Sequence, residues 1–285
     1  MKIGVLADSF RLATRQAIVR ARELEVEGIQ IYAVDGDMAP WNLTAAQRRD
    51  LRDFVSSQGL IISALCGDLG GYGFTCPTEN PARIEKSKQI MDLACDLNCH
   101  VVTTHIGIIP ADRSHPRRAV LQEACESLGR YGDQVGATFA IETGPETAVV
   151  LRGFLDSLSC RGVRVNLDPA NLLMVTGDDV AEAVYTLRDY IVHTHAKDGI
   201  LLKLGNPELF YTTYGAETDW VDEAEYGLET PLGQGQVDFD RYLKALADIG
   251  YQGFLTIERE VGDNPANDIQ LAISFLREKL GRLSQ

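Results

Sequence analysis

No run of about eighteen consecutive apolar residues occurs in this 285-residue chain, so a membrane-spanning helix is not expected. CxxC pairs and zinc-finger spacings are missing as well. The six cysteines stand at 66, 76, 95, 99, 125 and 160, a pattern that reads as reduced thiols in a chain too long to need disulfide staples. Cys95 and Cys99, four apart in an expected helix, read as small buried hydrophobes. Positive charge is scarce. Against 41 Asp and Glu there are 27 Lys and Arg, a formal charge of −14, and the resulting field opposes phosphate backbones and anionic membranes. Neither nucleic acid nor a membrane is an expected partner. The apolar part of Met1–Asp8 is too short for a signal peptide, which makes the cytoplasm the expected location. A G-x-G-x-x-G fingerprint is also lacking. The glycines of the stretch from Cys66 through Asp68 to Phe74 open no helix, and they read instead as places where backbone passes close to a pocket.

The composition, 45% hydrophobic and 24% charged, suits a folded chain with a sizeable core. Apolar β-prone runs are expected as strands at Lys2–Ala7, Ile29–Val34, Leu60–Leu65, His100–Thr104, Thr138–Ile141, Val163–Leu167, Tyr190–Thr194 and Phe254–Ile257. Between and after them, 3.6-residue periodicity and caps predict helices near Leu12–Val26, Thr44–Gln58, Pro81–Leu97, His115–Val135, Thr147–Leu158, Ala181–Arg188, Phe239–Ile249 and Pro265–Leu280. Gly28, Gly59 and Gly136 read as helix stops. Eight strand–helix alternations predict an α/β fold, a (β/α)8 TIM barrel forming a single domain over residues 1–285, with an open doubly wound sheet as runner-up. One connection is long. Residues 199–236 carry Phe210, Tyr211, Tyr214, Trp220 and Tyr226 among several acids, and they read as a lid over a pocket or an oligomer contact.

Four strand ends deliver an acid or a histidine: Glu142, Asp168, His195 and Glu258. Residues two apart on a strand share a face, so Ala140 with Glu142, Asn166 with Asp168, His193 with His195 and Thr256 with Glu258 can all point into the barrel. Three carboxylates gathered there would raise one another's pKa unless a cation compensates. One divalent ion does so. Three oxygens and one imidazole suit Mn²⁺ best, with Mg²⁺, Co²⁺ or Zn²⁺ as alternatives. His193 reads as support one layer deeper, and His105 at the end of strand four as pocket lining or a ligand. Lys197 would neutralise the acids or meet a substrate anion, unless it pairs with Asp198. Arg11, Arg113 and Arg259 are the other candidates to meet a phosphate.

These residues, together with His195-Ala196-Lys197-Asp198, the stretch from Pro231 to Phe239 and the stretch from Gly250 to Glu258, make the chain resemble the sugar phosphate isomerase/epimerase group. These are xylose isomerase-like TIM barrels, which include D-tagatose 3-epimerase, inosose-processing enzymes, hydroxypyruvate isomerases and endonuclease IV. The resemblance implies that Glu142, Asp168, His195 and Glu258 hold the metal and that Glu142 and Glu258 exchange protons with substrate. His105, Asn171, Lys197, Cys66 and Asp68 would contact that substrate, a small carbohydrate. Asn171 stands where several members have histidine. The segment 199–236 has no histidine, unlike the nuclease branch. The implied activity is isomerisation or epimerisation of a small sugar, sugar phosphate or polyol ketone through an enediolate. Inosose-type dehydration at the same site and a non-catalytic sugar-binding barrel are the alternatives. A homo-oligomer is compatible with the aromatic loop.

Overall fold

The computed structural model describes residues 1–209, 211, 213–215 and 222–283. Eight parallel strands close a barrel in the order β1, β10, β7, β6, β5, β4, β3, β2, which excludes the open sheet. They are β1 (Lys2–Leu6), β2 (Gly28–Tyr32), β3 (Ile61–Cys66), β4 (Val101–Thr104), β5 (Thr138–Glu142), β6 (Val163–Leu167), β7 (Ile191–Ala196) and β10 (Phe254–Ile257). Their outward faces are buried under the helices, as parallel sheets require: Val5, Ile29, Val165 and Leu255 are fully covered.

The surrounding helices are α1 (Thr14–Glu23), α2 (Ala45–Ser57), α3 (Asn80–Asp96), α4 (Pro116–Val135), α5 (Ala148–Leu155), the short α6 (Pro169–Asn171), α7 (Val180–Leu187), α8 (Phe239–Asp248) and α9 (Pro265–Leu283). Local chemistry sets their ends. Thr44 caps α2 in a box with Gln47, and Gly136 ends α4 in the left-handed conformation at φ 77°. Gly28 does not stop α1 as expected. That helix ends at Glu23, Glu25 takes the left-handed position at φ 56°, and Gly28 begins β2. The glycine is there for space. A Cβ on it would lie 2.3 Å from the Phe254 ring, which fills the bottom of the barrel.

The ends of the long connection form a strand pair that its composition does not reveal. β8 (Asp198–Leu201) and β9 (Gly227–Thr230) form an antiparallel pair with Asp198 opposite Thr230 and Leu201 opposite Gly227. Each is four residues long and its partner lies 26 positions away, so no local pattern reveals them. Phe210 and Trp220 of this segment lie outside the described residues. No helix among the described residues is long and apolar enough to cross a membrane.

Candidate metal centre

The strand pairing builds the site in layers. Glu142 lies opposite Asn166, Asn166 opposite His193, and Thr256 opposite His195, so side chains of one parity enter the barrel together. Three strands run past their expected ends, β3 by one residue to Cys66 and the two that carry the site. Glu142 is the last residue of β5, and β7 continues through Ala196, which places His195 inside a ladder rather than on a loop. Asp168 caps the turn after β6 by accepting from the Asn171 amide at 2.8 Å, with Pro169 supplying the first helical position.

Glu142, Asp168, His195 and Glu258 are all buried, and one ligand atom from each lies within 4.8 Å of the others. His195 Nδ1 is the centre of convergence. It stands 3.4 Å from Glu142 Oε1, 3.3 Å from Asp168 Oδ2 and 3.2 Å from Glu258 Oε2. A single N–H donates well to only one of three oxygens, so hydrogen bonding leaves this geometry unsatisfied. A divalent cation takes all four donors at once. The electrostatics agree. Burial holds the Asp168 carboxyl above its usual range, whereas Lys197 and His195 overcome burial at Glu258 and hold it well below. Three carboxylates converge here on one imidazole, and the donor set fits one metal ion.

Beneath the quartet lies a polar layer that contains Gln30, a residue not singled out from the sequence. Its amide nitrogen donates to Thr103 Oγ1 at 3.0 Å. The carbonyl therefore faces the histidines, 3.0 Å from His193 Nε2 and 3.2 Å from His195 Nε2. An acceptor there favours N–H at Nε2, which leaves the Nδ1 lone pair of His195 toward the acids, although the Asn166 amide nitrogen stands at the same 3.2 Å from that Nε2. His193 is the expected support one layer down. Burial, helped by neighbouring His195, lowers its pKa to about 3, so it is neutral. A polar side chain at the inward position of the apolar run Gly28–Tyr32 was the signal for Gln30.

The other sequence candidates surround the same cavity, about 590 Å³ in volume, lined by Cys66, Asp68, His105, Asn171 and Lys197 along with the centre. Asp68 accepts from His105 Nδ1 at 3.0 Å. Burial opposes charge on this imidazole, yet Glu142 and Asp68 prevail and push its pKa up to about 9. Its Nε2 has no hydrogen-bond partner and lies 3.9 Å from Glu142 Oε1. Asn171 donates to Glu142 Oε1 at 3.2 Å, so its amide orients a carboxylate as well as lining the cavity. Lys197 does not pair with Asp198. Its ammonium lies 3.2 Å from Glu258 Oε2, bonds Glu260, and is 3.9 Å from Glu229.

Asp198 has a different task. Its carboxylate accepts from the amides of Gly199, Gly233, Gly235 and Val237 at 2.9 to 3.1 Å. A Cβ on Gly235 would meet Asp198 Oδ1 at 2.2 Å, so the glycines of 231–239 let that turn wrap the acid. Two separate sequence motifs are thus one structure. Described residues of the long connection meet other parts of the chain: Arg117 holds Glu208 at 2.7 Å, Tyr214 packs edge-on to Tyr72 with centroids 5.7 Å apart, and Tyr211 lines the cavity. Arg259 is engaged by Glu229 at 2.5 Å and Asp268 at 2.9 Å. Arg11 donates to the Glu260 carbonyl at 3.2 Å. Arg11, Arg113 and Arg259 are not among the described residues lining this cavity.

Comparison with known proteins fits this arrangement. The family described as xylose isomerase-like TIM barrel matches residues 18–279. The chain is 31% identical over 169 residues to the rhizopine catabolism protein MocC of Rhizobium meliloti, covering 58% of this chain and 48% of that protein. It is 26% identical over 171 residues to an inosose dehydratase of Bacillus thuringiensis (strain Al Hakam), covering 56% of this chain and 54% of that enzyme. The chain thus spans about half the length of the curated relatives it matches. A solved xylose isomerase domain protein from Planctomyces limnophilus superposes with a TM-score of 0.80 at 24% identity, covering 99% of this chain and 98% of that one. The protein belongs to the xylose isomerase-like TIM barrel family.

Proposed function

We propose that this protein is a divalent-metal-dependent isomerase or epimerase of a small sugar or polyol ketone, with the reaction passing through an enediolate. The observation that carries this reading is the convergence of Glu142, Asp168 and Glu258 on His195 Nδ1. A bound divalent ion, Mn²⁺ by preference, would supply Lewis-acid stabilisation of negative charge on the substrate oxygens.

The chain's own groups supply the proton chemistry. Glu258, kept ionised by Lys197 3.2 Å away, is a base ready to accept the α-proton of a ketone. Glu142 has Asn166 and Asn171 donating to its two oxygens at 3.1 and 3.2 Å, which fixes its orientation for passing a proton drawn from solvent to the substrate carbon, while Glu258 releases its own to solvent. His105, with Nε2 unpartnered beside Glu142, is placed to donate to a substrate oxygen. Proton return to the same carbon from the opposite face gives epimerisation, and return to the neighbouring carbon gives isomerisation.

The inosose dehydratase among the relatives favours a second reading in which the same proton abstraction is followed by loss of water. One experiment covers both. A panel of ketoses, inososes and ketose phosphates is incubated with the Mn²⁺-loaded protein in D₂O. Deuterium entering at carbon with every oxygen retained supports isomerisation or epimerisation, and loss of water supports the lyase. Wild-type turnover by a Glu142→Gln variant would refute both.

A further inference from the structure

The lining of the cavity above the quartet combines the polar groups Asp68, His105, Asn171 and Lys197 with an apolar set, Met174, Val175, Leu228 and Val261. The apolar set comes from separate pieces of chain. Met174 belongs to the π-helical turn Leu172–Thr176, Leu228 to β9, and Val261 follows β10. Two glycines dock the pieces. A Cβ on Gly199 would lie 2.3 Å from Met174 Sδ, and one on Gly227 would lie 3.2 Å from Met174 Cβ, so the hairpin packs onto Met174 where it carries no side chains. Leu228 and Val261 remain 43% and 49% exposed, an apolar surface beside the reacting groups with no cover among the described residues.

Size and charge narrow what belongs there. A cavity of 590 Å³ falls within the roughly 300–1,000 Å³ range of pockets that enclose drug-sized ligands, more room than one sugar ring fills. Lys197 and His105 are the cations among the described lining residues, and both are engaged by carboxylates. Glu229, Glu258 and Glu260 also line the cavity and would repel a phosphate or carboxylate tail. Resting on the reading that the quartet is the reacting centre, we propose that the substrate is an uncharged sugar or polyol ketone bearing an apolar alkyl or aryl substituent. Its polar head lies on the quartet, and its substituent lies against Met174, Val175, Leu228 and Val261.

Calorimetric titration of the Mn²⁺-loaded full chain with methyl, n-butyl and phenyl 3-keto-β-D-glucosides, which carry the ketone head, tests this. The phenyl glucoside is expected to bind at least about tenfold tighter than the methyl, with butyl between, as expected for a hydrophobic pocket that gains carbon atoms. Leu228→Ser and Val261→Ser are each expected to cut that ratio severalfold. Equal affinities, no binding of the phenyl glucoside, tighter binding of glucose 6-phosphate, or a ratio unchanged in both variants overturns the proposal. Failure of the underlying reading looks different: no ketose turns over, yet the phenyl preference persists. If only the substituent assignment fails, unsubstituted ketoses turn over and the ratio is near one.

Discussion

Gln30 Oε1 stands 3.2 Å from His195 Nε2, on the side of the imidazole opposite the three carboxylates. That contact crosses the barrel from β2 to β7 and favours the tautomer whose Nδ1 is free to bind a metal.

Replacing Gln30 with Leu therefore leaves all four ligands in place and removes what orients one of them. Mn²⁺ affinity is expected to fall about 10- to 100-fold, read by calorimetric titration of folded protein. Unchanged affinity would show that the acids alone orient His195.

Asp198 accepts four backbone amides. Asp198→Ala is expected to cost about 3 kcal/mol in urea unfolding, because it strands donors that had a charged acceptor. Faster hydrogen exchange at Gly233, Gly235 and Val237 would locate the loss in that turn.

Glu146 is buried, and burial pushes its pKa from 4.5 up to about 8, although the Ile109 amide bonds it. The folded state then holds a proton that the unfolded state releases between roughly pH 4.5 and 8, so this residue lowers stability as pH rises through that window. Glu146→Gln keeps the hydrogen-bond acceptor and has no proton to lose. Its unfolding free energy is expected to exceed wild type by up to about 4 kcal/mol at pH 8.5 and to approach wild type near pH 5. A difference independent of pH would contradict the assignment.

Gly28→Ala puts a Cβ 2.3 Å from the Phe254 ring. Overpacking of this kind costs about 1–3 kcal/mol. Adding Phe254→Leu is expected to recover part of that cost, and thermal melts of the single and double variants measure the coupling.

The barrel and the quartet were legible because both are written in short-range pattern: β-prone runs alternating with helical periodicity, and acids or histidines of one parity at strand ends. Gln30 was missed: a polar residue at the inward position of an apolar strand was the available signal, but a lone glutamine carries no metal-ligand signal. The pairing of β8 with β9 and the wrapping of Asp198 by 231–239 depend on contacts some 30 residues apart, which no local window contains. Gly28 misled because a glycine required for space looks the same in sequence as one required for a left-handed turn. The partner of Lys197 was likewise invisible, since Glu258 and Glu260 reach it from a neighbouring strand rather than from the next residue.

The claim on which the rest depends is that four side chains form one metal site, and calorimetric titration of the metal-stripped chain with Mn²⁺ tests it most directly. One ion per wild-type chain is expected, with affinity reduced at least about 100-fold in Glu258→Gln, which keeps the shape and removes the charge. Wild-type affinity in that variant, or no saturable binding to the wild type, would contradict it.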